Sequence, residues 1–172
     1  MDIKEFFEQS AGNWFAQRTS YNLKDGKAEN SKSDLSTTLL AADDPRVVKL
    51  CQEKGISQDL VWQGIKTSWD SSVDWDDKKE KGSSLIVIIP DADNSSQGKI
   101  LRSLGKLLAG RYILGRDEAL TLTVENEDIY FEERIWFASN NLRMRSSLIK
   151  MADTYNGAAF YSEVRRMPAK DK

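Results

Sequence analysis

The chain has 172 residues, 30% of them charged, with a formal net charge of −2, no histidine and a single cysteine. That length favours one domain over 1–172, large enough for a sizeable core or a closed barrel, and the near-neutral balance offers no global field for nucleic acid. Without histidine, Ser-His-Asp and Cys-His nucleophile systems and histidine-ligated zinc are excluded, and Cys51 alone supplies neither a disulfide framework nor a thiolate cage for metal.

Residues 2–9 read as a short helix, with Ile3, Phe6 and Phe7 on one side. This start lacks the basic-then-apolar pattern of a secretory signal, and no run of 18 apolar residues follows anywhere to span a membrane. Asn13 to Leu23 alternates as a strand, placing Trp14, Ala16, Arg18 and Ser20 on one face. A polar turn over 24–30 leads to a second strand over 31–40. Asp43-Asp44-Pro45 then starts a helix, because Asp caps free N–H groups and Pro suits the first turn; Gly55 ends it. This helix is expected across the mouth of a barrel or on its wall, with Cys51 buried in its apolar set and consistent with a reducing compartment.

Beyond Gly55 the pattern is one of strands and turns. Strands are predicted at 60–69, 83–89, 98–107, 110–115, 118–126, 128–138, 141–151 and 156–166, with Trp75 bordering a further element and 76–81 a solvated charge run. The 98–107 segment also fits a helix through Ile100, Leu101, Leu104 and Leu107. Nine or ten short strands with one or two short helices predict an all-β antiparallel sandwich or barrel. The barrel is favoured because closure removes edges and leaves room for a ligand.

The stretch Glu132-Glu133-Arg134-Ile135-Trp136-Phe137-Ala138-Ser139-Asn140-Asn141-Leu142-Arg143-Met144-Arg145 reads as a hairpin. A two-residue turn pairs Trp136 with Arg143; a three-residue loop pairs Phe137 with Arg143 and exchanges the faces. In either register Arg143 and Arg145 share a face. Two such arginines match paired carboxylates on one ligand, and would serve equally as an outer-wall ion-pair ladder with Glu132 or Glu133. Trp14, Trp62, Trp69, Trp75 and Trp136 would stack on a flat conjugated ligand or fill the core. Arg18 shares the face of Trp14; if that face is inward, the guanidinium needs an anionic partner. Arg165-Arg166 reads as solvated surface.

In order along the chain, Phe6-Phe7-Glu8-Gln9-Ser10-Ala11-Gly12-Asn13-Trp14-Phe15, Gln17-Arg18-Thr19-Ser20, Asp43-Asp44-Pro45-Arg46-Val47, Ser68-Trp69-Asp70, Trp75-Asp76, Gln97-Gly98, Gly110-Arg111-Tyr112, Glu133-Arg134, Trp136-Phe137-Ala138-Ser139, Asn141-Leu142-Arg143-Met144-Arg145 and Ser162-Glu163-Val164-Arg165 resemble the S/U-type phycobiliprotein bilin lyases almost end to end. Each block is weakly specific; the ordered set is highly so. Tyr21-Asn22 stands where histidines are common in that family, Asn140 where proline is, and Tyr161 where cysteine is.

The resemblance implies a lipocalin-like (calycin) up-and-down barrel that binds a phycobilin and attaches it by a thioether to a cysteine of an apo-phycobiliprotein subunit. No cofactor is implied, since the phycobilin is the substrate, and the acceptor brings the thiol. Glu133 and Arg143 are the candidate catalytic residues, with Arg18, Trp14, Trp69, Trp75, Arg145 and Trp136 as substrate contacts. The arginines would hold the two propionates and the indoles the pyrrole rings. Glu133 would accept pyrrole N–H bonds or, with a pKa raised by an apolar wall, supply a proton. A cytoplasmic or plastid-stromal location fits. A homodimer, a heterodimer with another family member, a non-catalytic bilin carrier and, more distantly, a carrier of fatty acid or haem stay open.

Overall fold

Ten antiparallel strands close on themselves in the computed structural model, which describes residues 1–71 and 80–168. In chain order the strands and the two α-helices are α1 (Ile3–Ser10), β1 (Gly12–Asn22), β2 (Ala28–Ala41), α2 (Pro45–Lys54), β3 (Gln63–Asp70), β4 (Lys81–Pro90), β5 (Gln97–Leu104), β6 (Lys106–Leu114), β7 (Leu120–Glu125), β8 (Ile129–Ser139), β9 (Leu142–Met151) and β10 (Thr154–Arg165). Each strand pairs with its chain neighbours, and β1 also pairs with β10 to complete the lipocalin-like barrel. Among the described residues no helix is long and apolar enough to cross a membrane.

Alternation decides the barrel's two faces. Trp14, Ala16, Leu35, Ile65, Ile86, Ile88, Ile100, Leu122 and Ile135 point inward and are buried. The ambiguous segment resolves as β5 plus a tight turn at Gly105, whose φ of 71° suits glycine, so the strand ends three residues earlier than its sequence pattern predicts.

Helix α1 plugs one end of the lumen. An Asp2–Glu5 capping box starts it, and its buried face carries Ile3, Phe6 and Phe7 into the core with Ile88, Tyr112, Leu120 and Leu122. Phe6 lies edge-on to Phe137 at 5.2 Å, and burying each phenylalanine contributes about 1.5–3 kcal/mol.

Arg165 fixes the plug to the barrel. Its guanidinium donates to the carbonyls of Gln9, Ala11 and Asn140 and stacks 4.1 Å from the Trp14 ring centroid. Arg165 is therefore a staple between α1, the β8–β9 turn and the wall rather than solvated surface. Arg166 does reach solvent, pairing with Asp34 at 2.6 Å.

Helix α2 packs on the outer wall. Val47 and Cys51 bury against Leu40, Val87, Ile89 and Leu101. A Cβ at Gly64 would come within 2.5 Å of Val47, so the bare backbone there is what lets the helix approach. Burial pushes the Cys51 thiol up, away from thiolate. That fits a packing residue and not a nucleophile.

Candidate functional site

The β8–β9 hairpin takes the register in which Phe137 pairs with Arg143 and Glu133 with Ser147, with an irregularity between Phe137 and Ser139. The extra residue in the turn sends Glu133, Ile135, Phe137, Arg143 and Arg145 inward and Arg134, Trp136 and Met144 outward. Of the two readings open in the sequence, the outer-wall ladder is thereby removed for Glu133, Arg143 and Arg145.

Inside is a cavity of about 740 Å³, within the range that holds small-molecule ligands. It is closed below by Phe6 and Phe7 and opens at the other end, where the exposed Glu29, Asn30 and Glu80 form its rim. Below the rim, where the exposed Lys32 also lines the mouth, one wall is uncharged: Leu35, Thr37, Ile65, Thr67, Ser84 and Ile86, with Trp69 toward the mouth. Trp69 lies across from Gly82, where a Cβ would come within 2.4 Å of the indole. The missing side chain therefore lets the ring lie back against the wall instead of filling the lumen.

The other side carries an arc of charge. Glu133, 4% exposed, sits 3.3 Å from Arg102 and 3.2 Å from Arg145. Glu163, fully buried behind them, pairs with Arg145 at 3.0 Å and accepts a hydrogen bond from Nε of Arg143. Arg143 also donates to the Ser10 carbonyl at 3.3 Å and stacks on Trp14, its charge 4.4 Å from the ring centroid. Arg18 reaches the same lumen from β1.

Among the described residues, four guanidinium groups, of Arg18, Arg102, Arg143 and Arg145, thus face two buried carboxylates, of Glu133 and Glu163. Nε of Arg18, Nε and Nη1 of Arg102 and Nη2 of Arg143 are buried with no hydrogen-bond partner among the described residues. Buried donors left unmatched, with positive charge in excess, make a receptor for an anion.

The electrostatics change what Glu133 can do. Burial works to raise its pKa, but Arg102 and Arg145 outweigh that and hold the carboxyl below its ordinary value of 4.5. The apolar wall expected from the sequence is a pair of guanidiniums instead, so Glu133 is ionised near neutrality and presents acceptor oxygens to the lumen. Burial pulls Arg143 down to about 10 despite Glu163, and Arg145 is raised because Glu163 and Glu133 outweigh its burial. Both stay cationic at neutral pH.

Because Glu133's folded pKa lies below its unfolded value, the unfolded chain takes up the proton more readily. Glu133's contribution to stability is therefore present above the unfolded pKa and lost as pH falls through the folded one. The stability advantage of the wild type over Glu133→Gln is expected to be constant above about pH 5 and to close on acidification. Thermal melts of both proteins across pH check this; an advantage that widens at low pH contradicts it.

Of the candidates marked in the sequence, the structure brings Arg18, Trp69, Glu133, Arg143 and Arg145 to this lumen. Trp14 does not line it: the indole is fully buried between Arg143 and Arg165, donating to the Ser10 carbonyl at 3.0 Å, and so supports Arg143 from behind. Trp136 stands on the outer wall, 6.4 Å from Phe160, beside a groove of about 300 Å³ with Asp117 and Arg134, because the hairpin register turns it away. Trp75 lies outside the described residues.

Arg102 and Glu163 were not singled out in the sequence. Alternation with the inward Ile100 would have found Arg102 had 98–107 been fixed as a strand. Glu163 lies two residues from Tyr161, which pairs with Arg145, but a carboxylate near a C-terminal Arg-Arg pair looks like surface.

The family model for CpeS-like proteins matches residues 2–166. A chromophore lyase CpcS/CpeS from Thermosynechococcus vestitus is 46% identical over 169 residues, covering 96% of this chain and 93% of that protein. A phycocyanobilin lyase subunit CpcS from a Picosynechococcus species is 38% identical over 170 residues, covering 95% of this chain and 86% of that protein. The solved S-type phycobiliprotein lyase CPES from Guillardia theta superposes with a TM-score of 0.85 at 33% identity, over 98% of this chain and 94% of that one.

Proposed function

The chain belongs to the CpeS-like family, and from that premise we propose that it is a phycobiliprotein chromophore lyase, which seats a phycobilin in the barrel and attaches it to a cysteine of an apo-phycobiliprotein subunit. The observation that carries this is the two-sided lumen, an arc rich in arginine facing an aliphatic and indole wall. A linear tetrapyrrole has the same two characters, a flat conjugated body and two carboxylates.

In this reading the arginines with unmatched donors take the carboxylates, Trp69 packs on the pyrroles, and ionised Glu133 accepts pyrrole N–H bonds. The acceptor's thiol adds across the ring-A ethylidene double bond. A C–S bond forms, the thiol's proton ends on the neighbouring ring carbon, and no oxidant or reductant is needed. Holding an otherwise flexible bilin in one orientation at the mouth is the main contribution of the barrel. The phycobilin is substrate, and the scheme calls on no cofactor. A cytosolic or plastid-stromal location fits a protein serving such acceptors.

A relative named as a lyase subunit favours one second reading, in which this chain works only beside another family member. Both are tested by mixing this chain with phycocyanobilin and apo-subunit and following acid-stable covalent fluorescence. Product from this chain alone is expected. Product only after a second family member is added favours the subunit reading, and bilin binding with no faster transfer in either mixture leaves a carrier.

A further inference from the structure

We infer that Arg102 is an anchor for a ligand carboxylate, separate from the Arg143–Arg145 cluster. The inference rests on the bilin reading of the lumen and names a contact within it. Arg102 projects inward from β5, which stands almost opposite β1 and its Arg18 in the order of ten strands.

The side chain is 6% exposed and leans over the Phe131 ring at 5.1 Å. Only its Nη2 is engaged, with the Glu133 oxygens at 3.3 and 3.5 Å. Nε and Nη1 are buried with no hydrogen-bond partner among the described residues. A guanidinium needed only to neutralise Glu133 would duplicate Arg145, which already contacts the same carboxylate oxygen at 3.2 Å. Arg145, by contrast, is tied to two acids, and Arg143 to Glu163, Ser10 and Trp14. Of the three arginines held by the buried acids, Arg102 keeps the most buried donors without a hydrogen-bond partner among the described residues, two against one each for Arg143 and Arg145. A carboxylate is the group that satisfies them, because it brings the negative charge the arc lacks.

The test compares phycocyanobilin with its dimethyl ester, which keeps the conjugated body and lacks the carboxylate charges. Both are titrated spectroscopically into the full chain and its Arg102→Gln and Arg102→Lys variants. The Gln variant is expected to lose roughly tenfold to a hundredfold in affinity for the diacid and less than about threefold for the diester, with Lys intermediate. Equal losses for both compounds, or no loss for either, overturn the anchor; equal losses would leave Arg102 a structural counter-ion of Glu133. If the wild type binds neither compound, the bilin reading falls and the anchor with it. If Arg102→Gln does not fold, the same comparison is made between Glu133→Gln and the double variant Arg102→Gln/Glu133→Gln, where no buried carboxylate is stranded at position 133. Selective loss of diacid binding in that double variant supports the anchor, and its absence overturns it.

Discussion

Replacing Glu163 with alanine is expected to lower the melting temperature by on the order of 10 °C, more than other single changes in the lumen. Glu163 is fully buried and is the shared counter-ion of Arg143 and Arg145. Arg145 keeps Glu133, but Arg143 is left with a backbone carbonyl and an indole face against the cost of its burial. Removing one partner of a buried pair costs about 3–5 kcal/mol, and each kcal/mol moves the midpoint of a domain this size by roughly 2–4 °C. A companion variant, Arg143→Met with Glu163→Met, removes both charges and is expected to regain part of the loss, because no guanidinium is then stranded. Calorimetry or thermal circular dichroism measures both. A shift below about 2 °C for Glu163→Ala would show that Glu163 is not holding the arginines in charge balance.

Thr67→Trp is expected to abolish bilin binding, a loss of more than about a hundredfold, while leaving the fold in place. Thr67 projects into the lumen opposite the charged arc and pairs across strands with Ser84. A tryptophan there occupies the volume a tetrapyrrole needs without touching Glu133, Glu163 or the arginines. It enters open space, so overpacking is mild and the melting temperature is expected to move by only a few degrees. The readout is the red-region absorbance of phycocyanobilin on titration, with circular dichroism as the control for folding. Unaltered binding by a folded Thr67→Trp protein would place the bilin outside the barrel and remove the basis of the site.

Much of the barrel could be read from the chain because antiparallel strands announce themselves through alternation and turn residues. Asp44-Pro45 and Gly55 bracketed α2 for the same kind of local reason, a cap, a fixed φ and a left-handed stop. The site was harder because its geometry hangs on one residue in one turn. Whether Trp136 or Glu133 faces inward depends on a loop of two or three residues at the β8–β9 corner, and both loops suit the same sequence. Arg165 shows the other limit. It reads as surface because nothing local reveals that α1 ends beside it, some 154 residues earlier in the chain, with carbonyls to be capped. The state of Glu133 was likewise out of reach, since Arg102 approaches it across the lumen from a strand whose period was ambiguous.

Closure of the barrel has a consequence for how the chain reaches its native state. The seam is the pairing of β1 with β10, whose partners, such as Trp14 and Arg165, lie at opposite ends of the sequence. Contacts so distant carry the largest loop-closure entropy and belong to the slow class of folding topologies. During synthesis β1 is available well before β10, so its seam edge has no partner until the last strand arrives. The staple made by Arg165 also forms only then, which makes seating of the α1 plug and sealing of the seam a single late event.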